Sequence, residues 1–65
     1  MHVFINGERT SVAASTLEQL VVELGFQGKR IAVEMDGQLI TKSKHAATLL
    51  SDDAKIEIIH AVGGG

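Results

Sequence analysis

The chain has 65 residues, enough for one domain, and a domain of this size buries only about 60% of the surface of its unfolded chain. It has no cysteine, which excludes disulfides and thiolate metal sites, so the core must come from the 45% of residues that are hydrophobic. The net charge of -2, without a dense basic cluster, argues against nucleic-acid binding, and no apolar run approaches the roughly 20 residues of a membrane span. The first residues lack the features of a secretory signal, so we expect a cytoplasmic protein.

The first thirteen residues predict a hairpin. Residues 1–5 alternate in polarity, as in a strand with one buried face. Asn6-Gly7 follows, the strongest short hairpin signal, because both residues tolerate positive φ. Residues 8–13 are predicted to return as the second strand.

The stretch STLEQLVVELG, residues 15–25, predicts a helix. Ser15 and Glu18 have the spacing of a capping box, and Gly25 suits the position just after a helix. Four apolar residues recur at the spacing of one helix face: Leu17, Leu20, Val21 and Leu24. A helix this short is not stable alone, so this face must pack on another element.

The second half predicts a further hairpin and a last strand. Residues 30–40 alternate around Asp36-Gly37, and residues 55–61 form a second apolar strand. The order is then β-β-α-β-β-β. Since a helical crossover favours parallel neighbours, we expect the first and last strands to lie side by side and parallel. The predicted fold is α+β, a mixed β-sheet with one main helix packed on one face.

The connection before the last strand is polar. Residues 41–54 are predicted to be irregular, with Leu49 and Leu50 contributing to the core and a turn at residues 51–53.

The three histidines, His2, His45 and His60, fit no metal-ligand spacing, and we expect them at the surface or at an interface. No catalytic grouping is readable, and a chain this short leaves little room for a substrate cleft. We therefore predict no catalytic residue and no metal site.

The sequence ends on HAVGGG, and residues 62–65 are predicted to form a flexible tail. A frayed terminus is one interpretation. The other is that the terminal carboxylate is the working group, because a glycine tip can enter a channel that any Cβ would block. An ionised carboxylate is a poor electrophile, so it would need activation, for example adenylation by ATP.

Three stretches, VFINGE, KRIAVEMDGQLI and IEIIHAVGGG, resemble the ThiS family of sulfur carriers of bacterial thiamine thiazole synthesis. The resemblance covers the whole chain. It implies a ubiquitin-like β-grasp fold, one domain over residues 1–65 and a free C-terminal Gly-Gly tail.

The resemblance also implies a chemistry and a set of partners. An ATP-dependent ThiF-type enzyme would adenylate the Gly65 carboxylate, and a sulfur donor such as a cysteine desulfurase would lead to a thiocarboxylate. A ThiG-type thiazole synthase would then take the sulfur. Gly64 and Gly65 match the family's glycine pair, and Gly63 is an additional glycine. The chain would be a protein co-substrate that binds no cofactor, since the activating enzyme uses the ATP.

We further predict a partner-binding face on the side of the sheet that the helix leaves open. If the helix covers the other side, the open face carries Phe4, Ala32, Ile59 and Ala61, with Val62 adjoining and Glu34 and Glu57 at its rim. The alternative is an ordinary scatter of exposed apolar residues.

Two other functions remain open. One keeps the carrier chemistry but feeds another pathway, as the small subunit of molybdopterin synthase does; the absence of proline disfavours it. The other is a ubiquitin-like modifier or a binding module.

Overall fold

The computed structural model describes residues 1–61. The predicted tail, residues 62–65, lies outside the described residues. The elements are β1 His2–Ile5, β2 Glu8–Ser11, α1 Leu17–Glu23, β3 Ile31–Met35, β4 Gln38–Ile40, a 3-10 helix Lys42–Ala47 and β5 Lys55–His60.

The five strands form one mixed sheet in the order β2-β1-β5-β3-β4. The central contact is between β1 and β5, which are parallel, whereas every other neighbouring pair is antiparallel. The predicted arrangement of the first and last strands is therefore confirmed, and β5 is paired on both sides.

Both predicted hairpin turns are confirmed. Asn6 and Asp36 have φ values of 50°, and Gly7 and Gly37 have φ values of 86°. Two consecutive residues of positive φ make the turn whose twist matches that of the flanking strands.

The core lies between α1 and one face of the sheet. Leu17 and Leu20 of α1 are fully buried, as is Val3 of β1. The other two residues of the predicted apolar helix face, Val21 and Leu24, are only partly buried and pack at the edge of the core. Because α1 has seven residues, its helical hydrogen bonds alone would not hold it, and this packing does.

The capping box is displaced by one residue from the predicted pair Ser15 and Glu18. The Thr16 hydroxyl accepts from the Gln19 amide at 3.2 Å, and the Gln19 side chain accepts from the Thr16 amide at 3.3 Å. The cause is a contact distant in sequence. The Ser15 carbonyl accepts from the Leu50 amide at 2.8 Å, which keeps the chain extended up to Thr16, so the helix begins at Leu17.

The connection before β5 differs from the prediction in three respects. It contains the 3-10 helix rather than only irregular chain. Leu50 is buried but Leu49 is 72% exposed, because successive side chains of an extended segment point to opposite sides. His45 is buried rather than at the surface, and its Nε2 lies 3.0 Å from the Ile40 carbonyl oxygen.

Among residues 1–61, no helix has the length and apolar character needed to cross a membrane.

Candidate functional site

The carboxylate that the sequence predicts to be reactive belongs to the segment that follows β5. The Ala61 amide donates to the Arg30 carbonyl at 3.0 Å, one residue beyond the strand. The rings of Phe26 and His60 meet edge to face, with centroids 5.5 Å apart. The chain is therefore held in place up to Ala61 by contacts with the segment that precedes β3.

Gly63, Gly64 and Gly65, together with Val62, lie outside the described residues. Their predicted roles as tail and modified C-terminus stay predictions.

The open face lies on the side of the sheet opposite α1, where its position was predicted. Ala32 and Ile59 are directly opposite each other across β3 and β5, and both are exposed. Ile59 is 62% exposed because its cross-strand neighbour is only an alanine. Phe4 is partly buried and Ala61 is exposed. Leu39 of β4, directly opposite Glu34, lies on the same side and is 64% exposed, so Ile59 and Leu39 are the two large, highly exposed apolar side chains of this face.

Two carboxylates border this apolar surface. Glu34 and Glu57 are directly opposite each other across β3 and β5, next to the Ala32–Ile59 pair. Like charges in this position destabilise a sheet slightly. The open face therefore combines exposed apolar side chains with a pair of carboxylates, and Lys55, two residues before Glu57 on β5, lies on the same side.

Asn6 fixes the end of β5, a role that its place in a turn did not reveal. The β1–β5 pairing covers only Phe4–Lys55 and Ile5–Ile56. Beyond it, the Ile58 amide donates to Asn6 Oδ1 at 2.7 Å, and Asn6 Nδ2 donates to the Ile58 carbonyl at 3.2 Å. The Asn6 side chain thus takes the place of another strand residue and holds β5 one residue before Ile59. The sequence offered no separate signal for this contact, because a hairpin turn at Asn6-Gly7 already explains why an asparagine occupies position 6.

The histidines do not assemble into a site. His2 is in β1, His45 in the 3-10 helix and His60 at the end of β5. Within residues 1–61, no group of three or more potential ligands could hold a metal ion.

The chain is similar to several curated proteins. It is 36% identical to a thiazole synthase of Magnetococcus marinus and 39% identical to one of Paramagnetospirillum magneticum, in each case over 66 residues that cover 100% of this chain and 20% of the relative. The chain thus spans about a fifth of the length of these two relatives. It is also 37% identical to the uncharacterized protein ycf40 of Porphyra purpurea, covering 94% of this chain and 87% of that protein.

The fold of the chain is also similar to that of solved structures. The crystal structure of thiamine biosynthesis protein ThiS from Geobacter metallireducens matches with a TM-score of 0.82 and 25% identity, covering 100% of both chains. An NMR structure of a thiamine biosynthesis protein from the same organism matches with a TM-score of 0.81, covering 88% of that chain. The fold is thus the predicted ubiquitin-like β-grasp. The model of the ThiS family matches residues 3–65, and the chain therefore belongs to the ThiS family.

Proposed function

We propose that this chain carries sulfur on the carboxylate of Gly65 for the formation of the thiazole of thiamine. The carboxylate attacks the α-phosphate of ATP in the active site of a ThiF-type enzyme, and pyrophosphate leaves. The terminal sulfur of a persulfide, formed through a donor such as a cysteine desulfurase, then attacks the carbonyl carbon and displaces AMP, which gives an acyl disulfide. A thiol cleaves the sulfur–sulfur bond, and the products are the thiocarboxylate and a disulfide. The chain acts as a co-substrate in the cytoplasm, and the catalysts are its partners.

The observation that carries this proposal is the position of β5. This strand is central in the sheet, and its path is fixed up to Ala61 by the Arg30 carbonyl. A fully extended chain spans at most about 3.3–3.6 Å per residue, so a tail of residues 62–65 could carry its carboxylate at most about 13–14 Å from Ala61. Such a reach suits an acyl group that must enter the active site of another protein.

The open face supports a docking role for the same strand. Ile59 is two residues before Ala61 and on the same side of the sheet, so an enzyme that binds the tail would meet this side chain first. Burying an exposed isoleucine stabilises a complex by about 1.5–3 kcal/mol. We therefore assign docking of the activating enzyme to Phe4, Ala32, Ile59, Ala61 and Val62.

The sulfur acceptor that we propose is a ThiG-type thiazole synthase. Two relatives bear the name thiazole synthase, and each includes a segment similar to this chain over its full length. A protein named thiazole synthase that also contains a segment similar to this chain supports the view that this chain and a thiazole synthase act in one pathway.

The experiment is a reconstitution followed by intact-mass measurement. The protein is incubated with its activating enzyme, ATP, a cysteine desulfurase and cysteine. We expect a mass increase equal to the difference between a sulfur and an oxygen atom. Omission of ATP is the first control, and a variant with one residue added after Gly65 is the second. Sulfur incorporation by the extended variant at the wild-type rate would refute the proposal.

A second stage identifies the acceptor. The purified thiocarboxylate form is mixed with a thiazole synthase and its small-molecule substrates, and thiazole formation is followed together with the return of the original mass. Loading without any transfer to this enzyme, but with transfer to a molybdopterin synthase, would place the chain in another pathway. Conjugation to lysines of other proteins would identify a modifier.

A further inference from the structure

A basic groove lies on the side of the sheet that carries α1. We define the basic groove by Val21, Phe26, Lys29, Arg30, Lys42 and His45. It consists of two adjoining cavities of about 680 and 260 Å³ between α1, the segment that follows it and the 3-10 helix. Both cavities are lined by Val21 and His45, so they form one continuous depression. None of the sequence signals indicated this groove, because its walls come from three separate segments.

The charge of the groove differs from that of the whole chain. The chain carries six lysines and arginines against eight acidic residues. Three of those six cations, Lys29, Arg30 and Lys42, line the groove and are exposed, whereas Glu18 is the one acidic residue among its lining residues. An acidic chain thus concentrates positive charge in one concave place.

The groove also has apolar walls. Val21 and Phe26 are partly buried at the edge of the core and line it, and Val22, 49% exposed, stands at its rim. Concave sites of this kind bind side chains that combine apolar groups with a few oriented polar ones. Three cations are too few for a nucleic-acid footprint, which needs many phosphate contacts.

The groove adjoins the exit of β5 but faces away from the open face. Arg30 provides the carbonyl that holds Ala61, and Phe26 contacts His60. The two surfaces therefore flank the same strand end from opposite sides of the sheet. A protein bound in the groove would not block Ile59.

We propose that the basic groove binds an acidic segment of a partner protein, with carboxylates paired to Lys29, Arg30 and Lys42 and an apolar side chain against Val21 and Phe26. The complementary charge favours this occupant over a second copy of this acidic chain. Because the groove and the open face are separate, a protein can hold the carrier at the groove while another engages the open face. This binding does not depend on sulfur chemistry, so it stands or fails separately from the proposed function.

The test is an NMR titration of ¹⁵N-labelled protein with a short capped peptide in which Asp and Glu residues flank two leucines. We expect shifts concentrated at Val21, Lys29, Arg30 and Lys42, and an affinity that falls as salt is added. Lys42→Glu should weaken binding by about 10-fold, since charged groups at a binding surface contribute on this order. Lys44→Glu is the matched control, because it makes the same change of charge on the same 3-10 helix but does not line the groove.

Several results would overturn the proposal. Equal weakening by Lys42→Glu and Lys44→Glu would show attraction to net charge only. Shifts centred on Ile59 would place the peptide on the open face. The same shift pattern and affinity with inorganic phosphate would show a site for small anions. If Lys42→Glu does not fold, as judged from its spectrum without peptide, the pair Lys42→Gln and Lys44→Gln makes the same comparison.

Discussion

Replacing Asn6 should destabilise the protein much more than its exposed position in a turn suggests. The side chain forms two hydrogen bonds with the backbone of Ile58, at 2.7 and 3.2 Å. Each contributes about 0.5–1.5 kcal/mol, so Asn6→Gly should lower the free energy of unfolding by about 1–3 kcal/mol. Asn6→Ala should cost about 1 kcal/mol more, because Asn6 has a φ of 50° that alanine adopts with strain. A domain of this length has only about 3–10 kcal/mol in total.

The matched control for Asn6→Gly is Asp36→Gly. Asp36 occupies the equivalent position of the second turn, also at a φ of 50°, and its carboxylate accepts one hydrogen bond, from the Lys55 amide at 2.9 Å. Both variants introduce the same glycine into the same kind of turn, so the difference between them reports the side chains. Asn6→Gly should be the less stable of the two.

The assay for the Asn6 series is urea unfolding followed by far-UV circular dichroism, since the chain has neither tryptophan nor tyrosine. The midpoint should fall while the slope with urea stays constant. Each kcal/mol lost should lower the Tm by about 4–8 °C. If Asn6→Gly unfolds at the same urea concentration as the wild type, the Asn6–Ile58 contact does not hold β5 in place and our reasoning is wrong.

Three further changes test other parts of the structure. Thr16→Ala should cost about 1 kcal/mol in urea unfolding, and Ser15→Ala less than about 0.5, because only Thr16 caps α1; the reverse order would contradict the observed helix start. Ile59→Lys should weaken binding to the activating enzyme by about 10-fold in calorimetry, whereas Leu49→Lys, at a more exposed position outside the open face, should not; equal affinities would remove the docking role. Glu23→Ala should lower the free energy of unfolding by about 1–3 kcal/mol, because its carboxylate accepts from two amides of the loop before α1, and a loss below about 0.5 would show that this contact is replaced by water.

Much of the fold could be predicted because its signals are local. Asn6-Gly7 and Asp36-Gly37 define two turns through residues that accept positive φ, and strand alternation defines which face is buried. The parallel contact of β1 with β5 followed from the helix between the hairpins. These features need no knowledge of distant contacts.

The errors arise where distant segments pair. The start of α1 depends on the bond between Ser15 and Leu50, which no local pattern reveals. The same pairing decides that Leu50 is buried and Leu49 is not. His45 is buried because the 3-10 helix packs beside α1, and sequence proximity gave no indication of that contact.

The candidate site, too, could be predicted only where local sequence patterns determine it. The position of Ile59 on the open face followed from alternation along β5, and its exposure is as predicted. The Asn6–Ile58 contact and the basic groove each join residues that are far apart in sequence, so neither was predictable.

The central claim is that sulfur is carried on the C-terminal carboxyl group of Gly65, and one measurement tests it most directly. After loading with the activating enzyme, ATP and a sulfur source, the protein is digested and its C-terminal peptide is fragmented in a mass spectrometer. We predict that one oxygen is replaced by sulfur, that the replacement lies on Gly65, and that it requires ATP. Sulfur found on any other residue, or a fully loaded protein whose C-terminal peptide is unchanged, would contradict the account.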